Sequence, residues 1–467
     1  MADEQVKISG VDLELFKKAI EGMVAKSTKS WNDSFSSYFS TRKTKDYTKE
    51  EVDKIISSGS LLAMQQLSRN YFYRDGLYKR ILFYYATLLK YVGILIPNPT
   101  AGNELSTPYI LKRYNNALDY LDKVFLPDLF TRFSLKALID GCYYGVFKEV
   151  SKTDLVVLDL PTEYCRSNFR DLHGNDIIEF NVTFFDSITD LEDRKQALKV
   201  YPKFISDYYH RYKKSQVSSM WVKIPTDIGF CFPFSDDGRP LFLDLIPAVM
   251  DYDEAVDINR ERDLEEIRKI IVQKIPHLAD GTLLFEPDEA LEMHAGAVGM
   301  MKGNKNISVL TTYADVDAVV SKTSSEASTN ALEKSLQNVY SRASVSGQLF
   351  APTGSQALNT SITNDMALMM ILANKYSRFV TYIVNTIFAN ANINFKYSIL
   401  PVSWYNVTQY ITDTMKLAQS GYSFILPAVA AGLSQKDLVN IKDLENNVLK
   451  LSTKLIPLES SYTQSSG

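Results

Sequence analysis

The 467-residue chain carries 51 basic and 55 acidic side chains, a formal net charge of −4, and 45% hydrophobic residues. That length and apolar content suit roughly two to four packed domains, and the acidic balance excludes a strongly adhesive, sequence-reading nucleic-acid binder. Contact with DNA that slides past stays open, because a weakly negative surface does not grip phosphates. Cys142, Cys165 and Cys231 form no CxxC pair, so buried, reduced thiols in an intracellular protein are expected. The opening MADEQVKISG has no basic region followed by an apolar core, so no secretory signal is expected. The most apolar long window, residues 366–388, is interrupted by Asn374, Lys375, Ser377 and Arg378, which argues against a membrane span and a membrane partner.

Residues 1–50 are rich in Ser, Thr and Lys and read as a loosely attached arm with one early helix. TKEEVDKIISS begins a helix, with Thr48 as cap and acids in the first turn. Leu77, Ile81, Tyr84, Tyr85, Leu88 and Tyr91 then recur at helical spacing until Pro97, Asn98 and Pro99 close the unit. Leu118, Leu121, Val124 and Phe125 continue the helical pattern over residues 115–136, with Pro127 as a break. After Gly141 the texture changes. GCYYGVFKEV, TDLVVLDL, DIIEFNVTFFD and SSMWVKIP read as antiparallel strands of a mixed α+β unit, interrupted by one helix over residues 191–212.

Residues 247–275 predict a long helix carrying the charges of DYDEAVDINRERDLEEIRK; about 28 residues would span roughly 42 Å. It has too few apolar positions to be buried alone, so packing against copies of itself is implied. A compact insert follows over residues 276–306, with Gly281, Gly296, Gly299 and Gly303, and with TLLFEPD and ISVLTTY as strands. Residues 315–343 are a Ser/Thr-rich helix, GQLFAPTGSQALNTSITN a loop, residues 366–389 a long helix, residues 394–398 a strand, and the remainder a helical bundle with a polar tail. No fixed-period repeat is present.

Signatures of chemistry are sparse. GAVGMMKGNKN lacks the spacing and hydroxyl of a P-loop, and HExxH and GxSxG are absent. His173, His210, His277 and His294 are too scattered for a zinc site. Asp251, Asp253, Glu254, Asp257, Glu261, Asp263, Glu265 and Glu266 could supply a two-metal site, but the intercalated Arg260, Arg262, Arg268 and Lys269 favour a solvated face of weak ion pairs. The basic run at residues 210–214 reads as an exposed loop. Tyr71, Phe72, Tyr73, Tyr84 and Tyr85 read as core rather than as a base-stacking platform. Ser321, Ser324, Ser325, Ser328 and Thr329 fit either a surface helix or one lining a wet passage. No catalytic residue, metal or cofactor is expected.

QQLSRNYFYRDGLYKRILFYYATLLKYVGILIP, then GCYYGVF leading into LPTEYCRSNFRDLHGNDIIEFNVTFFD, and finally LENNVLKLSTKLIPLESSYTQSSG occur in the order seen in tailed-bacteriophage portal proteins. The chain resembles that family over about residues 55–460. The resemblance implies an α+β portal fold, mainly helical, with antiparallel strands in wing and clip. The arm would be residues 1–50, the wing 51–240, the first stem helix 241–275, the clip 276–308 and the second stem helix 309–346. A tunnel loop at 347–364, the wing's long helix and strand at 365–403, a helical crown at 404–455 and a polar tail at 456–467 would follow.

Family members are non-enzymatic. They form a homo-oligomeric ring, usually a dodecamer, at one capsid vertex of the virion, assembled in the host cytoplasm. Double-stranded DNA passes through the ring without sequence preference during packaging and ejection. Major capsid protein, terminase and head–tail adaptor are the implied partners. By that likeness Gly347, Gln348, Thr353, Ser355, Gln356, Asn359 and Thr360 would face DNA; Glu261, Glu265, Lys322, Ser325 and Glu326 would line the channel; Glu286, Asp288, Lys302 and Lys305 would dock partners at the clip. A capsid scaffold or adaptor outside any ring, and a metal-dependent nucleic-acid enzyme, are the competing expectations.

Overall fold

The computed structural model describes residues 45–451 apart from residues 101, 125, 150–154, 171–175, 236, 268, 275–286, 301–306, 313–324 and 346–355. The early-arm helix, the TLLF strand and the polar tail lie outside the described residues.

Helix α1 (Lys49–Ser57) starts as its sequence demands. The Thr48 hydroxyl accepts from Glu51 N, and the Glu51 carboxylate accepts from Thr48 N, a complete capping box. The long aromatic stretch then splits into α2 (Leu61–Arg74) and α3 (Gly76–Leu88), because Asp75 takes extended backbone and caps α3 through Tyr78 N. Residues 93–99, expected only to close that unit, form β1 (Gly93–Pro99). Next come α4 (Pro108–Lys123) and α5 (Leu126–Asp140), where Pro127 sits in the first turn, a position at which its missing N–H costs nothing.

Strands β2 (Cys142–Glu149), β3 (Leu155–Asp159), β4 (Cys165–Arg170) and β5 (Asp176–Asn181) follow. The FFD that was expected to continue β5 turns instead into the short α6 (Phe184–Ser187), which buries Phe185. The helix expected over residues 191–212 is two, α7 (Leu191–Val200) and α8 (Lys203–Lys213), separated at Pro202, which disfavours helical backbone in the residue before it. The basic run at residues 210–214 is thus mostly the last turn of α8, where cations complement the helix dipole, rather than a loop. Strands β6 (Trp221–Lys223) and β7 (Gly229–Pro233) complete two antiparallel three-stranded sheets, ordered β3-β2-β7 and β4-β5-β6.

Helix α9 spans Ile246–Ile267, 22 residues rather than about 28, because Lys269–Lys274 leave the helix as strand β8. The β-branched Ile270, Ile271 and Val272 explain the switch. Helix α10 (Pro287–Met300) runs straight through Gly296 and Gly299. Strand β9 (Ile307–Thr312) pairs with β8 in parallel, Lys269 opposite Ile307 and Lys274 opposite Thr312. ISVLTT, expected as an antiparallel strand, is thus parallel to its neighbour β8, a pairing that requires a crossover such as the one containing α10.

Helix α11 is described over Ser325–Arg342. Helix α12 (Gln356–Phe388) has 33 residues and starts ten residues earlier than expected. Strand β10 (Ile393–Ile399) then pairs antiparallel with β1, Gly93 opposite Ile399. Helices α13 (Val407–Gln419), α14 (Ile425–Ala431) and α15 (Gln435–Asp443) end the described chain with one π turn.

The main core gathers α2, α3, α5 and α12. Met369, Leu372, Ala373, Tyr376, Val380 and Val384 form one buried stripe of α12. Tyr376 stacks on Phe130 with centroids 4.6 Å apart, and its hydroxyl shares Ser134 with Tyr91. A second cluster around Phe180, Phe185 and Tyr201 joins the small sheet to α8, and a third packs α14 on the strand end at Leu400 and Val402. The protein is α+β, mainly helical with small antiparallel sheets and one parallel pair.

Candidate functional site

The start of the polar helix α9 is anchored in the main core. Ile246, Ala248 and Val249 are buried in the main core, as are Val339, Ala343 and Val345 around the end of α11. Arg342 of α11 donates to the Asp244 carbonyl just ahead of α9 at 3.5 Å, so one helix leaves the core where the other returns. The two pack along each other and run antiparallel. Asp251, Tyr252, Ala255 and Asn259 of α9 are half-buried at helical spacing, the strip that faces its neighbours. Asp253, Glu254, Val256, Asp257, Ile258, Arg260 and Glu261 are exposed. Val256 and Ile258 are exposed among these charges, at 38% and 52%.

Helix α1 braces the base of this pair. The Lys49 ammonium lies 2.7 Å from Asp251 and 2.6 Å from Glu254, and those two hydrogen bonds, Asp251 first, raise its pKa. Both partners are solvent-exposed, so the brace orients α1 more than it stabilises the fold. A cavity of about 350 Å³ opens beside it, lined among others by Tyr47, Tyr71, Arg74, Met250, Asp253 and Glu261. Asp253 is exposed as a residue but its carboxyl borders this cavity, and partial desolvation there, then the like charge of Asp75, raises it above its ordinary value.

At the far end of the pair, β8, α10 and β9 form a β-α-β unit in which α10 packs on β9. Leu291, Met293 and Val298 of α10 are exposed, Leu291 at 71%. The glycines at 296 and 299 had masked this helix in the sequence, since each costs a helix about 1 kcal/mol against alanine. Its apolar face is the feature that residue-by-residue reading missed; the spacing of Ala290, Leu291, Ala295 and Val298 was the available signal.

Placement of the expected site residues is uneven. Glu261 is exposed on α9, and Glu265 lies one turn further along it. Ser325 and Glu326 open the described part of α11, and Asp288 is exposed in the first turn of α10. Gly347, Gln348, Thr353, Ser355, Lys322, Glu286, Lys302 and Lys305 lie outside the described residues. Gln356, Asn359 and Thr360 do not belong to a loop: their backbone is the start of α12, because nothing after Gly354 breaks a helix. Any loop between α11 and α12 is correspondingly shorter than residues 347–364. From residue 343 to 364 the chain carries no acidic or basic side chain.

Elsewhere, Cys142 and Cys231 are buried, Cys165 is half-buried, and all three are free thiols. A hydrogen bond to Cys142, with burial, pushes the Cys231 thiol up. Among the described residues no group of three His, Cys, Asp or Glu side chains is arranged to hold a metal ion, and no helix is long and apolar enough to cross a membrane. Comparison with protein-family models finds no match, and comparison with curated proteins finds none either.

Proposed function

We propose that this chain is a phage portal subunit. Copies would assemble as a ring, usually of twelve, at one capsid vertex, forming the conduit for double-stranded DNA and the docking ring for terminase and head–tail adaptor. One observation carries the reading: an antiparallel helix pair, α9 and α11, is rooted in the core and bears a β-α-β insert at its far end. An uncharged stretch and the long α12 follow directly. In the ring, α9 and α11 act as stem, β8-α10-β9 as clip and α13 to α15 as crown. The exposed apolar side chains of α9 are then covered by neighbouring stems, while its acids keep DNA from adhering. Chemical work comes from a separate motor, and this chain supplies shape and docking.

Negative-stain electron microscopy or mass photometry of the full-length protein tests the reading. Rings of about twelve copies are expected; a monomer stable at every concentration would sink it. Shortening residues 346–355 with a compact linker is expected to leave rings intact and impair DNA packaging. Collapse of the ring instead would remove the DNA-facing role from that segment.

A further inference from the structure

Helix α12 brings a lone carboxyl into the core. Asp365 is 3% exposed and is the first charged residue after Arg342. Its Oδ2 lies 2.9 Å from the Tyr84 hydroxyl and its Oδ1 3.1 Å from the Tyr85 hydroxyl, both on α3. The Tyr85 hydroxyl also lies 3.0 Å from the Ala343 carbonyl, at the C-terminal end of α11, where helix carbonyls lack an intrahelical donor. The walls are apolar: Phe242 packs on Tyr85 at 4.8 Å between centroids, and Val345, Ile362 and Met366 are buried.

Among the described residues no cation answers this carboxyl. On the packed elements, Arg80 of α3 lies near Tyr340 of α11, and Arg342 of α11 reaches the Asp244 carbonyl. Tyr405, ahead of α13, meets the Tyr84 ring at 6.3 Å. The phenols of Tyr84 and Tyr85 are the groups that face Asp365 directly.

Hydrogen counting then discriminates between the two charge states. An ionised Asp365 leaves two phenolic hydrogens for three oxygen–oxygen contacts. Tyr85 would have to choose between the carboxylate and Ala343. A protonated Asp365 fills all three: its own O–H donates to Tyr85 Oη, Tyr85 donates to the Ala343 carbonyl, and Tyr84 donates to Oδ2.

We propose that Asp365 holds a proton in the folded chain and works as a latch joining the end of α11 to the start of α12, a latch that ionisation opens. On ionisation the proton leaves to solvent, and Tyr85 turns its hydrogen to the stronger, charge-assisted acceptor. The Ala343 carbonyl is then left without a donor. Burial acts in the same sense, raising the Asp365 carboxyl above its ordinary value, while the two phenols draw it partly back. A raised acid favours the fold fully below the ordinary carboxylate range, and that contribution is lost as pH rises through the raised value. The latch joins the chain on either side of residues 346–355 and does not depend on the portal reading.

Full-length wild type, Asp365→Asn and Tyr85→Phe, melted between about pH 5 and pH 8, test it. Asparagine mimics the protonated acid, with Nδ2 donating to Tyr85 and Oδ1 accepting from Tyr84. Asp365→Asn is expected to melt about 2 °C or more above wild type at the alkaline end, with the gap closing at the acid end. Hydrogen exchange at residues 340–345, corrected for intrinsic rates, should become faster with pH in wild type and remain level in Asp365→Asn and Tyr85→Phe. An asparagine variant that fails to fold, melts below wild type at every pH, or shows a gap independent of pH would overturn the proposal. So would exchange in Tyr85→Phe that still follows pH.

Discussion

Two buried carboxyl arrangements set opposite pH limbs, which makes the residue scale directly testable. Asp159 is partly buried, which by itself raises its pKa, but Lys136, Tyr143 and Arg132 outweigh that and hold it below its ordinary value. Its contribution is therefore present above the ordinary carboxylate range and lost as pH falls through the lowered value. Asp159→Asn should flatten the acid limb of stability measured by urea unfolding below about pH 4, the reverse of the alkaline gain expected for Asp365→Asn. Arg69 bridges Asp140 and Glu163, all three mostly buried. Arg69→Met removes the cation between these two carboxylates and should cost about 3–5 kcal/mol in the same assay. Gly141 has φ +80°, and a Cβ there would run into the Gly238 carbonyl, so Gly141→Ala should cost about 2 kcal/mol or more. None of these pairings was legible in the sequence, because their members stand from 16 to 281 positions apart along the chain.

Helix starts were legible where side chains alone decide them. The capping box at Thr48 and Glu51 is local, and Thr48→Ala should lower stability by about 1 kcal/mol. Boundaries decided by backbone competition were less so. Strand β8 was absorbed into the helix before it, since alternating charges continue up to Lys269 while the Ile270–Val272 run prefers the extended state. Strand β1 looked like a terminator because its partner, β10, lies 300 residues away. Strand β7 escaped for a similar reason, its five residues being specified by pairing with β2. On α10, replacing Leu291, Met293 and Val298 by Gln should change stability by less than about 0.5 kcal/mol each, as expected for exposed positions. If the side of α10 bearing Leu291 and Val298 docks a partner, as proposed for the clip, the double variant at these two positions should keep its rings and lose head–tail joining in a reconstitution assay.

For the molecule as a whole, the ring proposal carries a thermodynamic signature. A subunit whose stem is completed by its neighbours should melt at a temperature that rises with protein concentration, because assembly binds only the folded state. A concentration-independent Tm across dilutions that dissociate the ring would count against obligate assembly. Composition, periodicity and local caps by themselves determined the mixed helical class, the polar α9, the late helices and the uncharged stretch at residues 343–364, since each depends on neighbours a few positions apart. Only the tertiary structure decided that β8 and β9 run parallel, that α9 and α11 share one root, and that Asp365 meets Tyr84 and Tyr85, the latter also bonded to the Ala343 carbonyl. Those outcomes follow from which distant surfaces exclude water together, and a buried charge or a strand partner is set by that packing rather than by any run of adjacent residues.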